Sequence, residues 1–278
     1  MRVTPAKFIE PFKPTLVKSP PGGPGWQHEI KFDGYRMMCV IDRQAGPPRI
    51  FSKSRLDYSA RLPMITPALA GLACASAVID GEAVMFAADG RIDFFSLHAS
   101  LAKGSAPAAQ LVAFDLLQLD GEDLRKLPLE ERRNRLAKLV RTANRAVLFS
   151  EELGGDGPAM LRAACDNGLE GIVSKRRDSA YGARGSWLKS KCTTTEQFAV
   201  VGYDPEGRAS LRSLHLARLN GAGLIRCGSA GSGLTQTMAR ELRAAIDAGE
   251  AVLAEIEHRG FTPDGELRHP VIRGWAKG

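Results

Sequence analysis

Lys31-Phe32-Asp33-Gly34-Tyr35-Arg36 ties a lysine, an acid and an arginine to one tight glycine turn between two segments that read as strands, Gln27 to Phe32 and Tyr35 to Ile41. Alternating or β-branched runs broken by Gly and Asp continue at Arg49 to Ser52, Ala77 to Phe86 and Gln110 to Leu117, which predicts a strand-rich body. Ahead of it, Ser19-Pro20-Pro21-Gly22-Gly23-Pro24-Gly25 can propagate neither helix nor sheet. Helices are expected at Pro128 to Thr142, where Leu129, Leu136, Leu139 and Val140 share a face behind an initiating Pro128, and from Pro158 to Asn167. Strands resume at Gly171 to Lys175 and Trp187 to Cys192.

The character changes after Cys192. Thr193-Thr194-Thr195 reads as a short hinge, followed by strands at Gln197 to Tyr203, Ser213 to Leu219, Gly223 to Cys227 and Val252 to His258. One helix, Thr235 to Ala248, interrupts them, with Met238, Leu242 and Ile246 spaced four apart. Several strands with one helix before the last is the pattern of a small Greek-key barrel such as the OB-fold. The expected organisation is therefore α+β, with a catalytic domain over residues 1–192 and a small β-barrel over residues 193–278.

A chain of 278 residues with 44% hydrophobic residues can bury the cores that this division needs. No apolar run approaches bilayer length, and Met1 to Pro21 carries no apolar signal segment, so neither a membrane nor a secretory route is expected. Five scattered cysteines without a C-x-x-C pair read as reduced cytosolic thiols rather than a disulfide framework or zinc site. A net charge of +7 favours a polyanionic partner: DNA, RNA or free nucleotide.

A lysine that attacks phosphorus must first be neutral, which nearby cations and desolvation promote. Lys31 has candidates for those cations in Arg36, Lys189, Lys191 and a divalent metal. The same residues also read as a surface Lys and Asp flanking a β-turn. Lys189 and Lys191 alternate and so share one strand face, as they would on a basic edge strand.

The motifs that accompany Lys31 carry a resemblance. Ser52-Lys53-Ser54-Arg55, Asp80-Gly81-Glu82, Phe114-Asp115-Leu116, Glu170-Gly171-Ile172-Val173-Ser174-Lys175 and Trp187-Leu188-Lys189-Ser190-Lys191 follow in order over nearly the whole chain. Together they resemble the ATP-dependent DNA ligases, and most closely the ligase domain of the bacterial end-joining type. The stretches Phe114 to Gly121, Leu127 to Arg132, Gly228 to Gly233 and Asp264 to Pro270 favour that subgroup over replicative or capping enzymes. Taken singly, Glu82 and Glu170 read as solvated strand-end acids and Phe114 as a packing residue.

The resemblance implies an ATP-grasp-like nucleotidyltransferase domain with antiparallel sheets and a C-terminal OB-fold. It implies Lys31 as the nucleophile that forms lysine–AMP. Glu29 would read the adenine edge, Phe114 would stack on the base, and Glu82 with Arg36 would hold the ribose. Arg55 would reach phosphate, Arg184 would contribute to nucleotide binding, Lys189 and Lys191 would hold the α-phosphate, and Glu170 would hold Mg²⁺ or Mn²⁺. ATP is the expected cofactor. Nicked double-stranded DNA is the expected partner, with an end-binding protein as a second. A monomer in the cytoplasm, associated with the nucleoid, is expected. The departure lies after His269-Pro270. The family ends in a motif of the form R-x-D-K, whereas this sequence reads Val271-Ile272-Arg273-Gly274-Trp275-Ala276-Lys277-Gly278, with Ala276 at the arginine position. Three readings compete with the nick-sealing ligase: a capping-type guanylyltransferase, an RNA ligase, and a nick-binding protein impaired in self-adenylylation.

Overall fold

The computed structural model describes residues 5–141, 143–221 and 223–278, so Thr142, the last residue of the first expected helix, lies outside the described residues. The chain divides into two compact units, Met1–Lys191 and Cys192–Gly278. In chain order the first carries β1 (Thr15–Leu16), β2 (Trp26–Ile30), β3 (Tyr35–Asp42), β4 (Arg49–Ser52), α1 (Ile65–Ala70), β5 (Ser76–Val84) and α2 (Phe94–Ala102). It continues with β6 (Gln110–Leu119), β7 (Glu122–Asp123), α3 (Leu129–Val140), β8 (Val147–Phe149), β9 (Glu152–Leu153), α4 (Gly157–Asp166), β10 (Gly171–Arg176) and β11 (Trp187–Lys191). The second unit holds β12 (Thr194–Glu206), β13 (Ser210–Asn220), β14 (Gly223–Ala230), α5 (Gln236–Asp247), β15 (Val252–His258) and β16 (Val271–Lys277). None of the described helices is long and apolar enough to cross a membrane.

Two sheets build the first unit. One runs β1-β11-β10-β2-β9; the other runs β4-β3-β5-β6-β7, with β8 added in parallel beside β6. The central strands of the second sheet are near-continuous apolar runs because both faces are covered. Alternation along β3 sends Met37, Cys39 and Ile41 into the larger core with Leu97, Leu101, Leu136 and Leu139 from the helices. Met38 and Val40 point the other way, into a smaller cluster with Val78 and Leu117. On that second face Phe114, Leu129 and Trp187 form a further buried group, and it is this group that ends up beneath the candidate site.

Helix α3 shows how charge as well as apolar periodicity fixes the fold. All four residues expected to face inward, Leu129, Leu136, Leu139 and Val140, are buried. So are Arg132 and Arg133. Arg132 makes a fork onto Asp115 of β6, with both contacts at 2.8 Å, and its remaining nitrogen donates to the carbonyls of Leu127 and Ser179 at 2.6 and 2.9 Å. Both members of this pair are wholly buried. Burial still raises the Asp115 pKa despite the opposing pull of Arg132.

The second unit is a five-stranded antiparallel sheet ordered β14-β13-β12-β15-β16, whose core includes Phe198, Leu214, Leu216, Leu242 and Ile256. Among the described residues its pairing is open, with β14 and β16 as the two edges. The expected hinge at Thr193 to Thr195 is shorter than the sequence suggests, because β12 begins at Thr194. The thiol expectation needs a correction. Cys39, Cys74 and Cys227 are free and buried, but Cys165 and Cys192 are disulfide-bonded. Spacing along the chain does not fix which thiols the fold brings within bonding distance.

Removing Arg132 would leave Asp115 buried without its counter-charge, a loss of about 3–5 kcal/mol. Arg132→Met is therefore expected to lower the denaturant midpoint sharply, and the paired change Arg132→Met/Asp115→Leu to restore much of it. Urea titrations of the two variants beside the wild type test both expectations.

Candidate active site

Strand β2 ends at Ile30, and the backbone N–H of Lys31 donates to the Gly171 carbonyl at 2.9 Å. Gly171 has φ +141°, and a Cβ there would sit 2.1 Å from the Ser190 carbonyl oxygen, so this crossing of β10 and β11 requires glycine. The crossing carries the preceding residue, Glu170, to the lysine. Lys31 Nζ is ion-paired with Glu170 Oε2, and Lys191 Nζ lies 3.7 Å from Glu170 Oε1. Gly34 turns the chain against β5, where a Cβ would meet the Ala83 carbonyl at 2.2 Å. The register that follows places Arg36 beside Glu82.

These elements enclose a cavity of about 350 Å³. Glu29, Lys31, Arg36, Glu82, Phe114 and Lys189 line it, together with Lys13, Lys53, Val173, Lys175 and Trp187. Arg36 is held from behind by Asp80 through contacts of 2.9 and 2.6 Å, and Tyr181 donates its hydroxyl to the same carboxylate at 2.7 Å. The Arg36 guanidinium lies 5.2 Å from the Phe114 ring centre, and Lys175 Nζ lies 4.5 Å from it and 4.3 Å from Trp187. Both cations rest on aromatic faces, which favours a fixed geometry.

Glu29 is the most heavily bonded acid of the site. Lys175 Nζ approaches it at 2.7 Å and Arg133 at 3.0 Å, while Gln27 and Ser150 donate at 2.8 and 2.7 Å. Burial alone would raise its pKa, but Lys175 and Arg133 outweigh that effect and hold the carboxyl below its usual range. Lys175 pays the complementary cost, its pKa lowered by burial to about 8 against the pull of Glu29. Glu82 is pushed up to about 8 by burial, with Arg36 and Lys31 opposing and Asp80 and Glu170 adding to the rise. Among the described residues no three His, Cys, Asp or Glu side chains gather as a metal cage. Glu170 and Glu82 sense each other's charge, which adds to the rise of the Glu82 pKa.

Eight of the ten residues singled out from the sequence thus come together: six line the cavity, and Glu170 and Lys191 join it through Lys31. Arg55 and Arg184 are not in the lining. Arg55 sits at φ +62° in the turn after β4, its guanidinium 4.8 Å from the Phe8 ring centre, and Arg184 is exposed in the β10–β11 connection. Lys53, two residues before Arg55, is the basic side chain of that motif that reaches the cavity. Sequence reasoning also passed over Lys13, Lys175 and Trp187. The period of two along β10 that puts Val173 on the cavity face was a usable signal for Lys175.

Residues 7–191 match the family described as the ATP dependent DNA ligase domain. The chain belongs to that ligase family. The ligase is 37% identical over 254 residues to the multifunctional non-homologous end joining protein LigD of Pseudomonas aeruginosa, a match covering 87% of this chain and 29% of that protein. It is 31% identical to the multifunctional non-homologous end joining DNA repair protein LigD of Mycobacterium tuberculosis, over 90% of this chain and 36% of that one. The chain thus spans about a third of the length of these relatives. A solved mycobacterial DNA ligase D complexed with ATP and MES superposes with a TM-score of 0.60 at 28% identity, covering 96% of this chain and 94% of that one. The two units are therefore those of a nucleotidyltransferase-type DNA ligase fold with antiparallel sheets and helices.

The raised pKa of Glu82 sets a pH dependence for the ligase without nucleotide. The folded state holds a proton on Glu82 that the unfolded chain releases above about pH 4.5. The resulting stabilisation is complete at low pH and is lost as pH rises through about 8. Glu82→Gln removes that titration, so its stability relative to wild type is expected to rise by about 1–2 kcal/mol between pH 5 and pH 9, discounted for partial solvent access. Urea unfolding of both proteins at several pH values checks the sign; a difference independent of pH would contradict it.

Proposed function

We propose that this ligase seals nicks in duplex DNA through a lysine–AMP intermediate on Lys31, in DNA end joining. The observation that carries the reading is the contact of Lys31 with Glu170, shared with Lys191, beside a cavity lined by Phe114, Glu82, Arg36 and Lys189. An aromatic face, a paired arginine and acid, and convergent lysines suit a base, a ribose and phosphates in that order. Lys31 Nζ bonds to the α-phosphorus of ATP as the bond to pyrophosphate breaks. The AMP passes to the 5′-phosphate of the nick, and the 3′-hydroxyl then displaces it.

The protein's part in such transfers is positioning and charge neutralisation. Lys189 and Lys191 hold the α-phosphate, Lys53 and Lys13 add positive charge at the cavity wall, and Phe114 stacks on adenine. Glu29 reads the adenine edge, and Glu82 with Arg36 holds the ribose. Arg55, for phosphate, and Arg184, for the nucleotide, remain candidates for contacts made outside the cavity. Glu170 would hold Mg²⁺ or Mn²⁺, which supplies Lewis-acid stabilisation of phosphate charge when bound. Residues 1–192 would be the adenylation domain and 193–278 the OB-fold domain. The order β12-β13-β14-α5-β15-β16, with β12 paired to both β13 and β15, supports that assignment. Nicked DNA, an end-binding protein and a monomeric state in the cytoplasm, at the nucleoid, complete the reading.

One observation favours a second reading, a nick-binding protein poor at charging itself. Arg273 and Lys277, the basic residues of β16, are paired with Glu257 at 2.9 Å and Glu250 at 2.8 Å. Intact mass separates the two. After treatment with pyrophosphate to strip any bound AMP, incubation with ATP and Mg²⁺ or Mn²⁺ is expected to add one AMP to the wild type and none to Lys31→Ala. A preference for GTP would instead point to a capping enzyme. Absence of any adduct on the wild type would leave the second reading standing.

A further inference from the structure

Arg36 is a cation of the cavity wall whose direction is set from outside the cavity. It lies between the Phe114 and Trp187 rings, its guanidinium 5.2 and 5.6 Å from their centres. Register places it beside Glu82 on the neighbouring strand, so the two groups meet the cavity together. Behind it, the wholly buried Asp80 carboxylate accepts from Arg36 Nε at 2.9 Å on Oδ1 and from a second guanidinium nitrogen at 2.6 Å on Oδ2. A fork of this kind aligns the guanidinium with the carboxylate. It does not fix the carboxylate itself, and fork and acid are free to swing together about the Asp80 side chain.

Tyr181 removes that freedom. Its hydroxyl donates to Asp80 Oδ2 at 2.7 Å and accepts the backbone N–H of Phe12 at 2.8 Å. With the Phe12 N–H on the oxygen, the phenolic hydrogen is directed to the acid. Burial, with the Asp80 charge adding to it, pushes the phenol pKa up, so the hydroxyl keeps its proton. The ring is clamped as well. It stands edge-on to Trp187 at 5.6 Å and to Phe12 at 6.1 Å, and the Arg132 guanidinium lies 5.9 Å from its centre. The Tyr181 N–H donates to the Arg125 carbonyl at 2.8 Å, which anchors the backbone. Tyr181 lines an outer groove of about 750 Å³ rather than the cavity, so it reaches the cavity only through Asp80.

We infer that Tyr181 is a positioning residue: through Asp80 it sets the direction of Arg36, and with it the grip on the sugar of the bound nucleotide. The inference deepens the ligase reading and rests on it, since that reading puts the ribose against Arg36 and Glu82. Tyr181 lies in the connection between β10 and β11, outside every motif that accompanies Lys31. A guanidinium held at one angle meets a sugar hydroxyl with good hydrogen-bond geometry; one that swings meets it in only a fraction of its orientations.

Sugar preference reads that angle directly. Binding of ATP, 2′-deoxyATP and 3′-deoxyATP would be measured by titration calorimetry in the Lys31→Ala protein, which lacks the group that takes up AMP. The same titrations would be made with Tyr181→Phe or Asp80→Asn added. The parent is expected to bind ATP about tenfold more tightly than one of the deoxy analogues, the effect of one hydrogen bond to a charged group. Tyr181→Phe keeps the ring and its packing. It is expected to bring that ratio to within about twofold by weakening ATP while leaving the deoxy analogue nearly unchanged. Asp80→Asn, which keeps the shape of the acid but not its charge, is expected to narrow the ratio in the same way, and urea midpoints report that each variant is folded. Parallel losses for all three nucleotides would mark packing alone and overturn the role. So would an unchanged ratio, or a parent that shows no ATP binding or no sugar preference. Uptake of AMP from ATP by the wild type, followed by mass, tests the ligase reading separately. Its absence beside a sugar preference that depends on Tyr181 would count against that reading and leave the positioning role standing.

Discussion

The carboxylate of Glu29 is the constraint on which the catalytic unit depends. It lies between the two sheets, reached by Lys175 from β10 in its own sheet and by Arg133 from α3, which packs on the other. Ser150, which donates to it, follows β8 of the second sheet, and its carbonyl accepts from Arg133 at 2.6 Å. A buried carboxylate with one partner would be a liability; with two cations and two neutral donors it becomes a joint that admits a single arrangement of strands. That joint fixes the cavity, because Glu29 and Lys175 are also part of its wall. The atoms that line the cavity here and the atoms that hold the sheets together are the same.

Charge balance in the cavity follows from this. Lys175 is neutralised by Glu29 and Arg36 by Asp80, so neither is a loose cation able to collapse onto the Lys31–Glu170 pair. Both also lie against aromatic rings that resist displacement. Glu82, by contrast, favours its protonated form near neutrality because Asp80 and Glu170 are close and burial is deep. The cavity thus stores a neutral acid beside an internally paired lysine.

Much of this was legible in the sequence, and the exceptions have physical causes. The lysine turn and the alternating lysines are short-range patterns whose geometry follows from strand period, so Lys31, Lys189 and Lys191 stood out from residue types and spacing, whereas Glu82 was singled out only through the family resemblance. Arg132 and Arg133 could not: in a charged helical run they read as a solvated face, and only the tertiary partners Asp115 and Glu29 pull them inward. The choice of Arg55 over Lys53 failed to weigh the turn. A residue at φ +62° points its side chain where the turn dictates, and here that is onto Phe8. Helix α2 was missed although Asp93 is a sound cap and Leu97 and Leu101 are spaced four apart, because Phe94-Phe95 reads more readily as the end of a strand.

Strand β3 shows how one short segment can serve two surfaces. A period of two sends Arg36, Met38 and Val40 to the cavity side and Tyr35, Met37 and Cys39 to the helical side, so the cavity wall and the larger core share one backbone. The middle of the strand is locked by full burial on both faces, and the first two residues inherit that rigidity while remaining partly open to solvent. A shift in register would exchange the faces of Tyr35 and Arg36 together, placing an aromatic ring over Asp80 and a cation against the core. Neither environment would tolerate the exchange. The burial of Met37 through Ile41 therefore fixes the direction of Tyr35 and Arg36 on the two sides of the sheet.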